Sequence, residues 1–267
     1  MKVGILQFTP IFGQVPGNIF TVQKTISQIQ ADLVVLPELF NTGYQFVTKE
    51  EVGELAEPVP NGFTTQRLVE MAQKNGLFIV AGLAERDGDR VYNSAVLVGP
   101  RGFVGVYRKA HLFYEEKLWF DPGDGEFPVF DIGPAKIGLM ICFDWIFPEV
   151  SRILALQGAQ VICQPANLVL PYCQGAMVTR AIENRVFTVT ANRVGNEHRQ
   201  ADEELRFTGM SQVVDPKGQV LFRLGETEEA LRVVEIDPAL ALDKKATKYN
   251  HVFDDRRVDL YGRLRQR

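Results

Sequence analysis

Three cysteines, three histidines and two tryptophans are all that 267 residues contain of these types. Cys142, Cys163 and Cys173 are an odd number without a Cys-x-x-Cys spacing, which speaks against a disulfide framework or a zinc ribbon and for reduced thiols. Excess positive charge is missing too: Lys+Arg 29 against Asp+Glu 33 leaves a net charge of -4. Such a chain has little with which to displace counterions from a nucleic acid. The apolar runs, such as Leu33–Leu36 and Ile137–Cys142, stop well short of the ~18 to 20 residues that cross a bilayer. Met1–Phe8 resembles a buried strand and lacks the long apolar stretch and small-residue cleavage site of a signal peptide. The expectation is a soluble, cytoplasmic protein with neither a nucleic-acid nor a membrane partner.

What is present is ordinary for a folded chain. Hydrophobic residues at 46% and charged residues at 23% exclude a disordered tail protein, a collagen-like repeat and a coiled coil. The length suits one large domain or two small ones, and no Pro/Ser-rich linker divides it, so one domain over 1–249 is expected. Residues 250–267 are charged with scattered aromatics, Phe253 and Tyr261, and cannot bury much alone. They read as a tail laid on a neighbouring surface, such as a second subunit.

Strand-like and helix-like segments alternate, and the strands are continuous apolar runs of the kind that a helix-covered sheet requires. This predicts an α/β fold. Strands are expected at Val3–Phe8, Leu33–Leu36, Leu77–Ala84, Val91–Gly99, Phe103–Tyr107, Val129–Ile132, Lys136–Cys142, Gln160–Gln164, Val186–Ala191 and Ala230–Ile236, with a hairpin over Ser211–Leu224. Helices are expected at Asn18–Gln30, at Thr64–Asn75 with a Thr cap, after Pro148, and over Gly175–Asn184. The turns at Asp87–Arg90 and Pro100–Gly102 make the sheet mixed. Two stretches, 31–38 and 158–167, share one design: a helix exit, a short apolar strand, then a proline and a polar residue. Two similar halves are implied.

In such sheets ligands bind beyond the carboxyl ends of strands. Glu38, Lys109, Cys142 and Asn167 all stand at such ends. A carboxylate, an ammonium and a thiol brought together there suffice for acyl transfer: a base, a cation for the developing oxyanion, and a nucleophile. Each has a plainer alternative. Cys142 lies at a strand-to-loop junction before a helix, where a tight turn would expose its sulfur and free the Phe143 N–H, yet most free cysteines are small buried hydrophobes. Glu38 follows a buried strand and a proline, where partial desolvation suits a base, yet most glutamates are solvated. Lys109 stands among Arg108 and His111 and reads equally as a surface cation.

Taken together the segments are specific. Pro37-Glu38-Leu-Phe, Tyr107-Arg-Lys109-Ala-His-Leu and Gly138-Leu-Met-Ile-Cys142-Phe-Asp-Trp-Ile-Phe-Pro-Glu149, with Glu38, Lys109 and Cys142 separated by 71 and then 33 positions, strongly resemble the nitrilase superfamily of carbon-nitrogen hydrolases. Asn93-Ser94, Phe120-x-Pro-Gly123, Pro165-Ala-Asn167-Leu and Arg180–Arg185 extend the resemblance to about Asp237. It is nearest to the short single-domain archaeal and bacterial members whose cysteine motif reads Cys-Phe-Asp-Trp. The resemblance implies an αββα sandwich, two mixed β-sheets flanked by helices, and an enzyme without metal or organic cofactor.

It further implies a catalytic set of Glu38, Lys109 and Cys142, with the Phe143 backbone N–H in the oxyanion site. A second glutamate is assigned to Glu116 rather than Glu115, because family members carry it directly before a basic residue. Tyr44, Trp145 and Asn167 are candidate pocket walls. The implied reaction cleaves a non-peptide C–N bond of a small linear amide through a thioester, giving an acid and ammonia. Small aliphatic nitriles and N-carbamoyl amines are alternatives; Cys142-Phe-Asp144 in place of Cys-Trp-Glu favours amides and carbamoyl compounds over nitriles. Family members assemble into dimers or larger complexes, so a homodimer is expected, with the tail at its interface.

Three rival readings compete with this one. A Cys–His hydrolase would pair Cys142 with His111, His198 or His251. A nucleotide-binding loop at Gly99–Gly105 opens no helix and reads as a turn. An inactive relative serving as an interaction protein is disfavoured by the intact Glu38, Lys109 and Cys142.

Overall fold

The computed structural model describes residues 1–201 and 203–265. The first half runs β1 (Lys2–Gln7), α1 (Val15–Ile26), β2 (Leu33–Val35), α2 (Lys49–Leu55), α3 (Phe63–Asn75), β3 (Phe78–Asp87), β4 (Arg90–Gly99), β5 (Gly102–Arg108) and α4 (Glu116–Trp119). The second runs β6 (Val129–Asp131), β7 (Lys136–Leu139), a 3₁₀ turn (Cys142–Ile146), α5 (Pro148–Leu156), β8 (Val161–Ala166), α6 (Cys173–Asn184), β9 (Phe187–Asn192), β10 (Asn196–Gln200), β11 (Glu203–Arg206), β12 (Gln212–Val214), β13 (Val220–Arg223) and β14 (Ala230–Glu235). Short 3₁₀ turns at Pro238–Leu242, Val258–Leu260 and Gly262–Arg265 follow.

The expected two mixed sheets flanked by helices are present. One sheet has the order β14-β1-β2-β3-β4-β5 and the other β13-β12-β9-β8-β7-β6. Each holds a central parallel trio, β1-β2-β3 or β7-β8-β9. Each trio is extended by antiparallel strands on both sides. The two halves suggested by 31–38 and 158–167 are thus two copies of one sheet pattern.

The layers follow from the alternation of side chains along a strand. Val3, Ile5, Leu33, Val35 and Val80 face the second sheet and join Ile137, Leu139, Val161 and Val189 in one core. Their neighbours Leu6, Val34, Leu36 and Ile79 face outward and are covered by Ile19, Val22 and Ile26 of α1 and Leu68 and Met71 of α3. Helices α5 and α6 cover the second sheet through Val150, Leu154 and Met177. Both inner faces being buried explains why the strands read as unbroken apolar runs.

The remaining expectations hold with small shifts. Helix α3 is capped by Gly62, not Thr64. Thr64 lies inside the first turn, where the Glu57 carboxylate takes its N–H at 2.6 Å; a carboxylate suits a helix N-terminus for the same electrostatic reason as a cap. Three elements had no expectation. Helix α2 buries only Val52, α4 spans a single turn, and the polar hairpin β10-β11 is mostly exposed. None carries the apolar periodicity by which such elements are read.

One contact ties the fold to the chemistry. Gly82 of β3 receives the loop after β2: its N–H donates to Pro37 O at 3.1 Å, and Phe40 N–H donates to its carbonyl at 3.1 Å. A Cβ on Gly82 would lie 2.5 Å from the Glu38 Cα, closer than packing permits, so only glycine lets this loop seat.

Candidate active site

Three strand ends converge. The loop after β2 carries Glu38, the residue after β5 is Lys109, and the turn after β7 begins with Cys142. Lys109 is fully buried and its Nζ donates to Glu38 Oε1 at 2.6 Å and to Glu116 Oε1 at 2.7 Å. Glu38 Oε1 also accepts from Asn93 Nδ2 at 2.6 Å. Glu116 is held by Tyr44 OH at 2.8 Å and by the Phe113 N–H at 3.1 Å. The second oxygen of Glu38 is buried and has no protein partner, leaving a lone pair free for a proton.

Burial alone would lower the Lys109 pKa, but the negative charges of Glu116 and Glu38 outweigh it and hold the ammonium charged above its usual range. Glu116 is pushed up to about 7, mainly by burial and further by Glu38, against the pull of Lys109. Tyr44 is raised, first by burial and then by the two carboxylates. Leaving a partner of such a cluster unpaired is strongly destabilising, so the hydrogen bonds around Lys109 are structural as well as chemical.

Cys142 has φ of 39°, a left-handed backbone that costs a non-glycine residue ~1–3 kcal/mol. The sharp reversal ends the β7 run. It starts the 3₁₀ turn, where the first N–H groups, Phe143 included, lack an intrahelical acceptor. Burial raises the thiol pKa well above normal; Glu38 adds to this, while Lys109 and the Asn167 backbone N–H oppose it. The resting sulfur is therefore a neutral thiol beside a base.

Asp144 joins the lysine and cysteine loops. Its buried carboxylate accepts from Tyr107 OH at 2.9 Å, Ile141 N–H at 2.9 Å, and the His111 N–H at 3.3 Å, and it pairs with His111 Nδ1 at 2.8 Å. His111 thus serves Asp144, while its ring stacks on Phe147 at 3.7 Å. His198 sits against Ala201 O and His251 against Asp254. The histidines have partners other than Cys142.

A small pocket opens over Cys142, lined by Phe113, Phe143, Trp145, Asn167, Leu168, Val169 and Leu170. Apart from Cys142 and Asn167 its walls are apolar or backbone. Both side-chain polar atoms of Asn167 are buried and unpartnered. Tyr44 lines an adjoining pocket that shares Phe113 and Val169 and reaches the cluster only through Glu116. Glu115 points elsewhere, to Gln200 Nε2 at 2.9 Å. The larger groove between α1 and α3 carries Lys24, Arg67 and Lys74 and none of the residues of this cluster.

Asn93, Asp144 and Gln164 were not predicted as site residues. Asn93 lies in the buried run Val91–Gly99 of β4 and Gln164 in the wholly buried β8, and a polar residue inside such a strand is a signal visible in the sequence. Among the described residues, no group of three or more His, Cys, Asp or Glu is arranged to hold a metal ion, and no helix is long and apolar enough to cross a membrane.

The carbon-nitrogen hydrolase family model matches residues 2–245. A protein of Pyrococcus abyssi named nitrilase is 52% identical over 266 residues, covering 98% of this chain and 100% of that protein. An (R)-stereoselective amidase of a Pseudomonas species is 37% identical over 98% of this chain and 93% of its own. Among solved structures, an amidase from Nesterenkonia superposes with a TM-score of 0.80 at 28% identity, over 98% of this chain and 95% of that one. A variant of that amidase was solved with acrylamide added at its active-site cysteine.

Burial sets the direction of the thiol titration. Cys163 and Cys173 are also pushed up by burial, the latter to about 12, so the native protein is expected to show no ultraviolet thiolate absorbance at about pH 8, and three thiols' worth of titration only once unfolded. A native thiolate signal at neutral pH would contradict this ordering.

Proposed function

Since this chain belongs to the carbon-nitrogen hydrolase family, we propose that it hydrolyses small uncharged amides to a carboxylic acid and ammonia, with Cys142 as nucleophile. The observation that carries this is the buried Glu38–Lys109–Glu116 cluster beside a thiol that opens onto an apolar pocket. The free space over Cys142 is small, short of the cavities that hold drug-sized ligands. No ionised side chain lines it, so an uncharged acyl chain is the better fit.

The steps follow from the proton positions. Glu38 takes the thiol proton through its free oxygen as the sulfur attacks the amide carbon. A C–S bond forms and the carbonyl electron pair moves to oxygen, where Lys109 and the Phe143 N–H receive it. The oxyanion collapses, the C–N bond breaks, and Glu38 returns the proton to the leaving nitrogen as ammonia. Glu38 then removes a proton from water, which attacks the thioester; the C–S bond breaks and the sulfur regains its proton. Glu116 holds Lys109 in place, with Tyr44 holding Glu116. Asn167 offers an unpartnered donor and acceptor to the substrate.

A second reading, hydrolysis of small aliphatic nitriles, is favoured by the 52% identical relative named nitrilase. Attack on a nitrile carbon would use the same thiol and base, and water would release the same ammonia from the thioimidate. The location inferred is the cytoplasm, in keeping with reduced thiols.

Ammonia release measured across aliphatic amides, N-carbamoyl amines and nitriles is expected to be highest with short uncharged amides and abolished in Cys142→Ala. Turnover surviving in that variant would remove the nucleophile assignment, and a preference for charged carbamoyl substrates would remove the acyl-pocket argument.

The reading extends to assembly. Phe253 of the tail packs on the core beside Arg152 and Lys244, whereas Val258, Leu260 and Leu264 stay exposed. With Ile153, Leu156 and Ile182 on α5 and α6 also exposed, this face suits a second copy of the chain. Light scattering is expected to give at least a dimer; a monomer would reject it.

A further inference from the structure

A buried amide stands behind the candidate nucleophile and has no part in the chemistry above. Gln164 of β8 is fully buried. Its Nε2 donates to the Cys142 carbonyl at 2.9 Å, and its Oε1 accepts from Thr190 OH, on β9, at 2.8 Å. The Cys173 sulfur lies 3.5 Å from Nε2 and 3.7 Å from Oε1. The three parallel strands β7, β8 and β9 thus end in one line: nucleophile turn, amide, hydroxyl.

The ends of that line dictate which way the amide faces. A carbonyl at Cys142 can only accept, so it needs a donor; the hydroxyl of Thr190 supplies a proton to the oxygen at the other end. The peptide bond between Cys142 and Phe143 is planar and trans, so its C=O and N–H point in opposite directions. Holding the carbonyl back toward β8 therefore turns the Phe143 N–H away from the sheet. The left-handed backbone at Cys142 is a costly conformation that persists only where surrounding contacts hold it, and the bond from Gln164 is one such contact.

We infer that Gln164 is a positioning residue: by clamping the Cys142 carbonyl it aims the Phe143 N–H at the oxyanion of the tetrahedral intermediate, and Thr190 sets its orientation. This rests on Cys142 being the nucleophile. Gln164 touches neither the sulfur of Cys142 nor the base in this arrangement, so its loss weakens oxyanion stabilisation while leaving the thiol and its proton acceptor in place.

The test compares propionamide turnover with inhibition by propionaldehyde. The aldehyde adds to the thiol to form a C–S bond, its carbonyl electron pair moving to an oxygen that occupies the same oxyanion site. In Gln164→Leu, kcat is expected to fall by ~10² or more, the usual loss for one oxyanion donor. The aldehyde inhibition constant should weaken by a similar factor, with KM within about threefold and Cys142 still labelled stoichiometrically by iodoacetamide. Thr190→Val keeps the donor but frees its orientation, and should shift both quantities together by a smaller factor, roughly tenfold. It carries the test alone if Gln164→Leu does not fold. Wild-type kcat in these variants, or a fall in kcat with aldehyde inhibition unchanged, overturns the inference. If instead Cys142→Ala still turns over propionamide, the nucleophile reading itself fails, independently of Gln164.

Discussion

One ammonium between two carboxylates organises this molecule. Lys109 is fully buried, and its charge survives there only because Glu38 and Glu116 lie at 2.6 and 2.7 Å. Taking such ions out of water costs several kcal/mol each, and only dense hydrogen bonding offsets that cost. Asn93, Tyr44 and the Phe113 N–H supply it. Beside this cluster burial raises the pKa of the Cys142 thiol, and the second oxygen of Glu38 is left as a vacant acceptor.

The sheet pattern explains how residues 71 and 33 positions apart meet. Each half repeats a parallel trio with antiparallel flanks, and the halves pack face to face through Val3, Ile5, Val35, Leu139, Val161 and Val189. Strand ends β2 and β5 of one sheet then meet β7 and β8 of the other along one rim. The seams between loops depend on single residues: Gly82 admits the Glu38 loop, Asp144 ties the lysine loop to the cysteine turn, and Gln164 ties that turn to β8.

Much of the fold could be read beforehand, because both faces of each central strand are buried and the apolar runs Leu33–Leu36 and Val161–Cys163 therefore stand out from their surroundings. Glu38, Lys109, Cys142 and Glu116 were legible from motif order, and the choice of Glu116 over Glu115 fits its place against Lys109. The polar residues behind them were harder to find. Asp144 and Gln164 act through backbone groups of distant strands, and no spacing in the chain announces such pairings. Helix α2 and the β10-β11 hairpin escaped notice because they bury too little apolar surface to impose a period. The Thr64 cap failed because a carboxylate seven residues earlier, Glu57, took that position's N–H instead.

The central claim is that substrate carbon becomes bonded to one particular sulfur. Mass spectrometry of enzyme quenched during turnover of a short aliphatic amide tests it most directly, since Cys142 alone among the cysteines falls in the tryptic peptide 137–152. The account predicts an added acyl mass on that peptide, lost again as substrate is exhausted. An acyl group found on the segment holding Cys163 and Cys173, with peptide 137–152 unmodified, would contradict it.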